Sequence, residues 1–326
     1  MKIIEVKEKV NSILLVNNTL CYTRKNEIFI NNSFFSKKDD DYLFVTNNQL
    51  FMVSKNEKES YLYLYLENEK KFKLLSTEFT TVFFNNFNYF IYYKINDDFP
   101  VITFFKTNIS EFSLDGLNSI LSFDSSKILV YDSLFRKQIL KTNIDGIISQ
   151  VFKINDGFII YLTPKVIENI LYFTAYDNDQ RNQLVTGLNI ENGDVIWQNQ
   201  YEVTSANKFI SAAAFNEKDQ LYYGFGTIFQ IFNPKTGEIV FEKTFEESKK
   251  NNLSPDVNAV YDNKLWFVSG KFETVKFGYI NLETKEIELF QDFPQENDEV
   301  FDLPIFHEGK LYLRGKHYNN LYVFEV

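Results

Sequence analysis

What this chain of 326 residues has least of is the chemistry most enzymes use. Its single cysteine, Cys21, excludes an intrachain disulfide. It lies in an apolar run, where a cysteine is packing and not a nucleophile. The two histidines, His307 and His317, flank one hairpin and read as a turn residue and a loop residue. A metal site would need two or more further ligands converging on them, and a Cys-His or Ser-His-Asp arrangement has little to draw on. Twelve glycines build no phosphate-cradling loop: the nearest approach, Gly224-Phe225-Gly226, ends an apolar run and has no helix pattern after it. The expectation is a non-catalytic chain with no cofactor and no metal.

Long hydrophobic runs are missing too. The densest, YLYLYL at 61–66, falls far short of the roughly eighteen residues of a membrane span. The N-terminal MKIIEVKEKV alternates charged with apolar residues where an export signal needs an unbroken apolar stretch, so a cytoplasmic location is expected. Basic charge is in deficit: 34 Lys and Arg against 44 Asp and Glu give a net charge of -10. That balance repels nucleic-acid phosphates and anionic lipid and favours basic partners.

What is abundant is aromatic: 35 Phe and 20 Tyr. These residues suit pleated, half-buried surfaces. They sit in runs of four to eight apolar residues separated by short polar breaks, with no apolar stripe at three-four spacing, so the chain reads as all-β. Asparagine makes many of the breaks. Asn17-Asn18, Asn31-Asn32, Asn47-Asn48, Asn85-Asn86 and Asn319-Asn320 all fall beside apolar runs, and Asn tolerates the left-handed backbone of tight turns.

The runs repeat. Residues 208–246 read FISAAAF, LYYGFG, TIFQIFN, a turn at Pro234-Lys235-Thr236-Gly237, then EIVFEKTF; residues 257–293 follow the same order, and LVTGLNI with DVIWQNQYEV is a partial third copy. Four strands per forty to fifty residues is the signature of a β-propeller blade. A blade buries both faces, which explains strands apolar on nearly every residue. In the N-terminal half SILLVN, LCYTR, EIFIN and SFFS form one candidate blade, and DYLFVTN, QLFMVSK, YLYLYLE and KFKLLST another. Segment 147–203 holds more strands than one blade needs. The C-terminus offers only three strands, and the orphan first strand IIEVKEKV would supply the fourth, closing the ring by pairing the termini. The expected fold is a single β-propeller domain over residues 1–326, with seven blades favoured and six or eight compatible.

FNPKTGEIVFEKTF, INLETKEIELFQ and LNIENGDVIWQ resemble the third-to-fourth-strand hairpin of quinoprotein-type (PQQ-like) repeats. Gly237, Gly193 and Trp197 match that pattern, Lys285-Glu286 replaces the glycine step, and Phe241 and Leu289 stand where the repeat carries Trp. The resemblance implies a propeller. Quinone-using members carry a vicinal cysteine pair and a Trp-rich docking motif, which this sequence lacks, so no quinone is implied. Trp197 and Trp266 lie inside strand runs and read as packing residues.

In a propeller, the loops joining blades share a face with those joining second to third strands. By this register they fall at 36–41, 54–60, 95–100, 174–183, 246–256, 270–276, 291–302 and 314–319, and they hold most of the excess acid; 291–302 alone has five acids and no base. The candidate partner-binding residues are Asp97, Asp98, Asp292, Glu296, Asp298, Glu299 and Asp302. They would form an acidic mouth that steers a basic protein. A compact acidic chain of this kind looks like the immunity proteins of bacterial toxin systems, some of which are propellers that block a toxin domain by occlusion. The alternatives are a glycan-processing propeller with two carboxylates about 5–10 Å apart at its channel, or a general scaffold in a larger assembly.

Overall fold

Short apolar runs separated by polar breaks should fold hairpin upon hairpin, and they do. In the computed structural model, strands of three to eight residues are grouped into sheets, with one short α-helix and one 3-10 turn among the described residues. The structure describes residues 2–326 except 31–32, 37–41, 47–48, 56–59, 78–80, 84–89, 97–98, 106–108, 114–117, 124–126, 133–137, 144–147, 156, 161–164, 178, 180, 204–209, 252, 254, 256, 270–274 and 294–298, and over 81–138 it describes the backbone.

Strand β1 (Ile3–Lys7) pairs far from its neighbours in sequence. The first meander is β2 (Val10–Val16), β3 (Thr19–Arg24), β4 (Glu27–Ile30) and β5 (Ser33–Ser36). The second is β6 (Tyr42–Thr46), β7 (Gln49–Lys55), β8 (Ser60–Leu66) and β9 (Lys71–Thr77). Next come β10 (Thr81–Phe83), β11 (Phe90–Asn96), β12 (Phe99–Phe105) and β13 (Ile109–Ser113), then β14 (Asn118–Phe123), β15 (Lys127–Asp132), β16 (Gln138–Asn143) and β17 (Ile148–Lys153). In the fifth sheet β18 (Phe158–Ile160) and β19 (Lys165–Ile167) both pair with β20 (Ile170–Asp177), sharing one strand position in two pieces, and β21 (Asn182–Asn189) and β22 (Val195–Glu202) follow. The sixth is β23 (Ile210–Asn216), β24 (Leu221–Gly226), β25 (Ile228–Phe232) and β26 (Ile239–Thr244). Helix α1 (Glu246–Lys250) leads to β27 (Val257–Tyr261), β28 (Lys264–Ser269), β29 (Lys276–Asn281) and β30 (Glu286–Asp292). The last sheet orders β31 (Ile305–His307), β32 (Lys310–Arg314) and β33 (Leu321–Glu325), with β1 beside β33 as its fourth strand.

The described strands thus form eight sheets, where repeat spacing favours seven units. The ambiguous segment was 147–203: its surplus strand is β17, which completes the fourth sheet. Helix α1 has no counterpart in the sequence reading. It is a single turn with Glu246 and Glu247 at its start and Lys249 and Lys250 at its end, the order the peptide dipoles favour.

The sheets divide into two compact units, Met1–Val6 with Ile154–Val326, and Lys7–Lys153. In the Lys7–Lys153 unit, Cys21, Ile28, Ile30, Leu43, Leu50 and Met52 pack together. Burial, then the charge of Glu67, pushes the Cys21 thiol up to about 12. In the other unit the inner strands are buried on both faces: β25 is buried throughout and β24 and β28 at all but one residue. The outer strands β22 and β26 instead show exposed residues between buried or half-buried ones. A sheet stacked on both sides gives this contrast, since only its last strand reaches water.

One turn design recurs. Asn189 and Asn281 end their third strands and Asn233 directly follows its own, and each side-chain Oδ1 accepts from the amide two residues on, at 2.8, 2.9 and 2.9 Å. Each Asn carbonyl then accepts from the amide four residues on, in Gly193, Gly237 and Lys285. Those last residues take the left-handed backbone, with φ of 79°, 72° and 59°. A bulge follows in every copy, skipping Ile196, Val240 and Glu288. Asparagine here caps the turn, while the left-handed position falls to Gly or Lys. At Asn17, Asn18 and Asn319 the left-handed role expected from sequence does hold; Asn31-Asn32, Asn47-Asn48 and Asn85-Asn86 lie outside the described residues.

Candidate interaction surface

An antiparallel meander has two ends. Turns between first and second and between third and fourth strands lie at one; second-to-third connections and links to the next sheet lie at the other. Of the candidate residues named from sequence, Asp292, Glu299 and Asp302 lie at the second, the loop end. Asp97, Asp98, Glu296 and Asp298 lie outside the described residues. The other three are described, and each has a partner within the protein. Asp292, exposed at the end of β30, pairs with Lys276 of β29. Asp302 pairs with Arg314 and lies 3.3 Å from Lys316 Nζ.

Glu299 is 3% exposed. Its carboxylate accepts the His317 amide at 2.7 Å and the Tyr318 amide at 3.4 Å, and it fills the space beside Gly315, where a Cβ would overlap it. Backbone bonds from Asp302 to Arg314 and from Lys316 to Val300 knit the same two segments together. Glu299 therefore organises the loop from inside. The surface it presents is Lys316, His317 and Tyr318, with Leu303 exposed on the facing segment.

At the turn end the balance differs. In the unit of residues 154–326, the turns at 168–169, 190–194, 217–220, 233–238, 262–263, 282–285 and 308–309 carry nine acids: Glu168, Glu191, Asp194, Glu217, Asp219, Glu238, Asp262, Glu283 and Glu308. All nine are exposed, against three lysines, Lys218, Lys235 and Lys285. The strand order explains why sequence reading missed them. Each turn alone is an ordinary polar hairpin, and only the shared register brings the seven to one end of the sheets.

Contacts between sheets hold these turns side by side. Trp197 of β22 donates its indole Nε1 to the Pro234 carbonyl in the next sheet's turn at 2.8 Å, and the Tyr172 hydroxyl donates to the same oxygen. Burial pushes the Tyr172 phenol well above its ordinary range, so it stays protonated as that donor. Asn199 Nδ2 donates to the Gly237 carbonyl at 2.9 Å. The indole lies against Gly237 so closely that a Cβ there would overlap it. One sheet further, Lys285 Nζ sits 4.5 Å above the Phe241 ring, repeating the contact with a cation in place of the glycine. Tyr261 and Phe306, beside the turns at 262–263 and 308–309, stack at 4.1 Å. Lys235 reaches Glu168 at 3.0 Å, but both side chains are more than half exposed, so the pair contributes little.

Two polar clasps lie deeper. Gln183, fully buried, donates to the Ile210 carbonyl and accepts from its amide, acting as a substitute strand partner between sheets. Tyr201 donates to Gln230, which donates to Glu242. Trp197 and Trp266 are 8% and 1% exposed, as their packing role requires. His307 is buried beside its turn and His317 is exposed in its loop. Among the described residues, no group of His, Cys, Asp and Glu could hold a metal ion, and no helix is long and apolar enough to cross a membrane.

No protein-family model matches the chain, and no curated protein sequence does. Solved structures are similar over nearly its whole length. Sqt1 of Saccharomyces cerevisiae aligns with a TM-score of 0.62 at 12% identity, covering 98% of this chain and 96% of its own. The computationally designed Ika8 protein aligns at 0.60 and 11%, covering 98% and 96%. BamB from Moraxella catarrhalis aligns at 0.57 and 11%, covering 100% and 99%. Likeness at such identities reports fold, and the fold is a β-propeller.

Proposed function

We propose that this β-propeller is a non-catalytic protein-binding module whose turn end receives a basic partner. The observation that carries the reading is nine exposed acids against three lysines at one end of adjoining sheets. Such a surface raises encounter rates with a positively charged protein and fixes its orientation, while the apolar contacts at the centre of an interface supply most of the affinity. The clamps at Pro234 and Gly237 support the reading, because a surface held in place before binding loses little entropy on binding.

In this reading the eight sheets are the blades of one ring spanning residues 1–326, and β1 beside β33 completes the last blade. The Trp197–Gly237 contact, with its Phe241–Lys285 counterpart, supports a quinoprotein-type repeat used for packing and without a cofactor. The immunity-type version, in which a basic toxin domain is blocked by occlusion, is the form of the proposal that most directly needs an acidic face.

Hydrogen exchange in the presence of a short oligolysine tests the proposal. Protection is expected in peptides covering 217–220, 233–238, 262–263 and 282–285, and it should vanish as salt is raised past the point where the screening length falls below about 8 Å. Protection confined to 299–303 and 314–320 would move the binding surface to the loop end.

A further inference from the structure

The outer edge of β22 differs from every other outer strand of its unit. β26 carries Glu242 and Lys243, β30 carries Glu286 and Glu288, and β1 carries Glu5. Charges of this kind guard a sheet edge against further pairing. β22 reads VIWQNQYE: among eight residues it has no lysine, arginine or proline, and its one charge, Glu202, is at the end. Among the described residues it is the last strand of its sheet, paired with β21 on one side.

Three further observations give that edge a shape and a sign. Trp197, Asn199 and Tyr201 are hydrogen-bonded to the next sheet, so the strand is held in a fixed register before anything binds. The bulge at Ile196 leaves Val195 and Ile196 47% and 44% exposed, an apolar step at the strand's start. Glu191 and Asp194 stand at that end and Glu202 at the other; bases near the strand are Arg181, whose carbonyl accepts the Val203 amide, and Lys235, which follows Pro234 and faces Glu168.

We propose that β22 is a strand-addition site for an extended peptide that alternates apolar with basic residues. The peptide would pair with the free backbone edge of β22, set an apolar side chain on Val195 and Ile196, and direct lysines or arginines toward Asp194 and Glu202. The acids at both ends select the basic character, and the unguarded backbone selects the extended form. The proposal stands whether or not the turn end receives a folded partner. The other copies of the repeat provide the control: the residue skipped by the bulge is Ile196 in β22, Val240 in β26 and Glu288 in β30, so a charged side chain is compatible with the fold at this position.

Fluorescence anisotropy with a soluble peptide alternating lysine and valine tests this directly, alongside the same peptide N-methylated at every amide. The first should bind and the second should not, because N-methylation removes the ladder donors and leaves the side chains. Ile196→Lys should weaken binding by about tenfold or more with an unchanged melting curve, and Val240→Lys should leave it unaltered. Equal binding of the two peptides, or equal effects of the two substitutions, would overturn the proposal. A concentration-dependent dimer abolished by Ile196→Lys would also overturn it, by assigning the edge to a second copy of the chain.

Discussion

The two ends of the same sheets use acidic residues in opposite ways. At the loop end Glu299 is buried under its own loop, Asp302 is held by Arg314, and Asp292 is paired with Lys276. At the turn end the acids stand in water on short hairpins whose positions are set by Trp197, Tyr172 and Phe241 beneath them. A count of charges along the sequence favours the loop end, where 291–302 holds five acids. Among the described acids of that stretch, Glu299 and Asp302 serve the loop's own fold, while Asp292 belongs to an exposed pair. Acids at the turn end have partners as well, Glu168 in Lys235, Asp262 in Lys264 and Asp219 in Tyr223, but all of them remain exposed; burial, and not the presence of a partner, sets Glu299 apart.

The contrast can be broken most forcefully through the clamp under the turns. Trp197→Ala removes a buried ring and its bond to Pro234, and should cost about 3–5 kcal/mol in chemical denaturation. A loss below about 1 kcal/mol would mean the turns are not anchored there. Next in size is Glu299→Ala, which leaves the His317 amide without its acceptor and opens a void beside Gly315; about 2–3 kcal/mol is expected. Asp292→Asn, on an exposed pair at the same end, should stay within about 0.5 kcal/mol. Similar losses for the two would erase the distinction between a buried organiser and a surface acid.

An effect between those two in size sharpens the contrast in the other unit, where the ionisable group lies inside the core. The Cys21 thiol is raised from 9.0 to about 12 by burial and then by Glu67. The folded state therefore favours the neutral thiol, and that stability is fully present below pH 9 and lost as pH rises toward 12. Roughly 1.4 kcal/mol should be gone by pH 10, and Cys21→Ala should flatten the loss. An alkaline limb identical in the two proteins would contradict the burial assigned to this thiol.

Much of the architecture was legible because the repeat writes the same instructions several times. SILLVN to SFFS and DYLFVTN to KFKLLST are the first two sheets, and the orphan N-terminal strand does join the three at the C-terminus. The resemblance at Gly237 and Trp197 marked the contact that locks two sheets together. What could not be read was which end a charge faces and whether it was already engaged. Glu299 and Glu283 look alike in sequence; burial of one and exposure of the other depends on strands that meet only after folding. The repeat alignment did place Lys285 at the glycine step, and it takes the left-handed backbone there; the Asn281 cap that accompanies it was not read from the sequence.

The most direct measurement is the affinity of a short oligolysine for two variants at matched salt. One carries Gln at Glu217, Glu238, Glu283 and Glu308; the other carries Asp292→Asn. Both should melt as the parent does, since these side chains are exposed. The turn variant should bind about tenfold more weakly, at roughly 0.3 kcal/mol per charge, while the loop variant binds as the parent does. Undiminished binding by the turn variant, or a larger loss in the loop variant, would contradict the assignment of the acidic surface to the turn end.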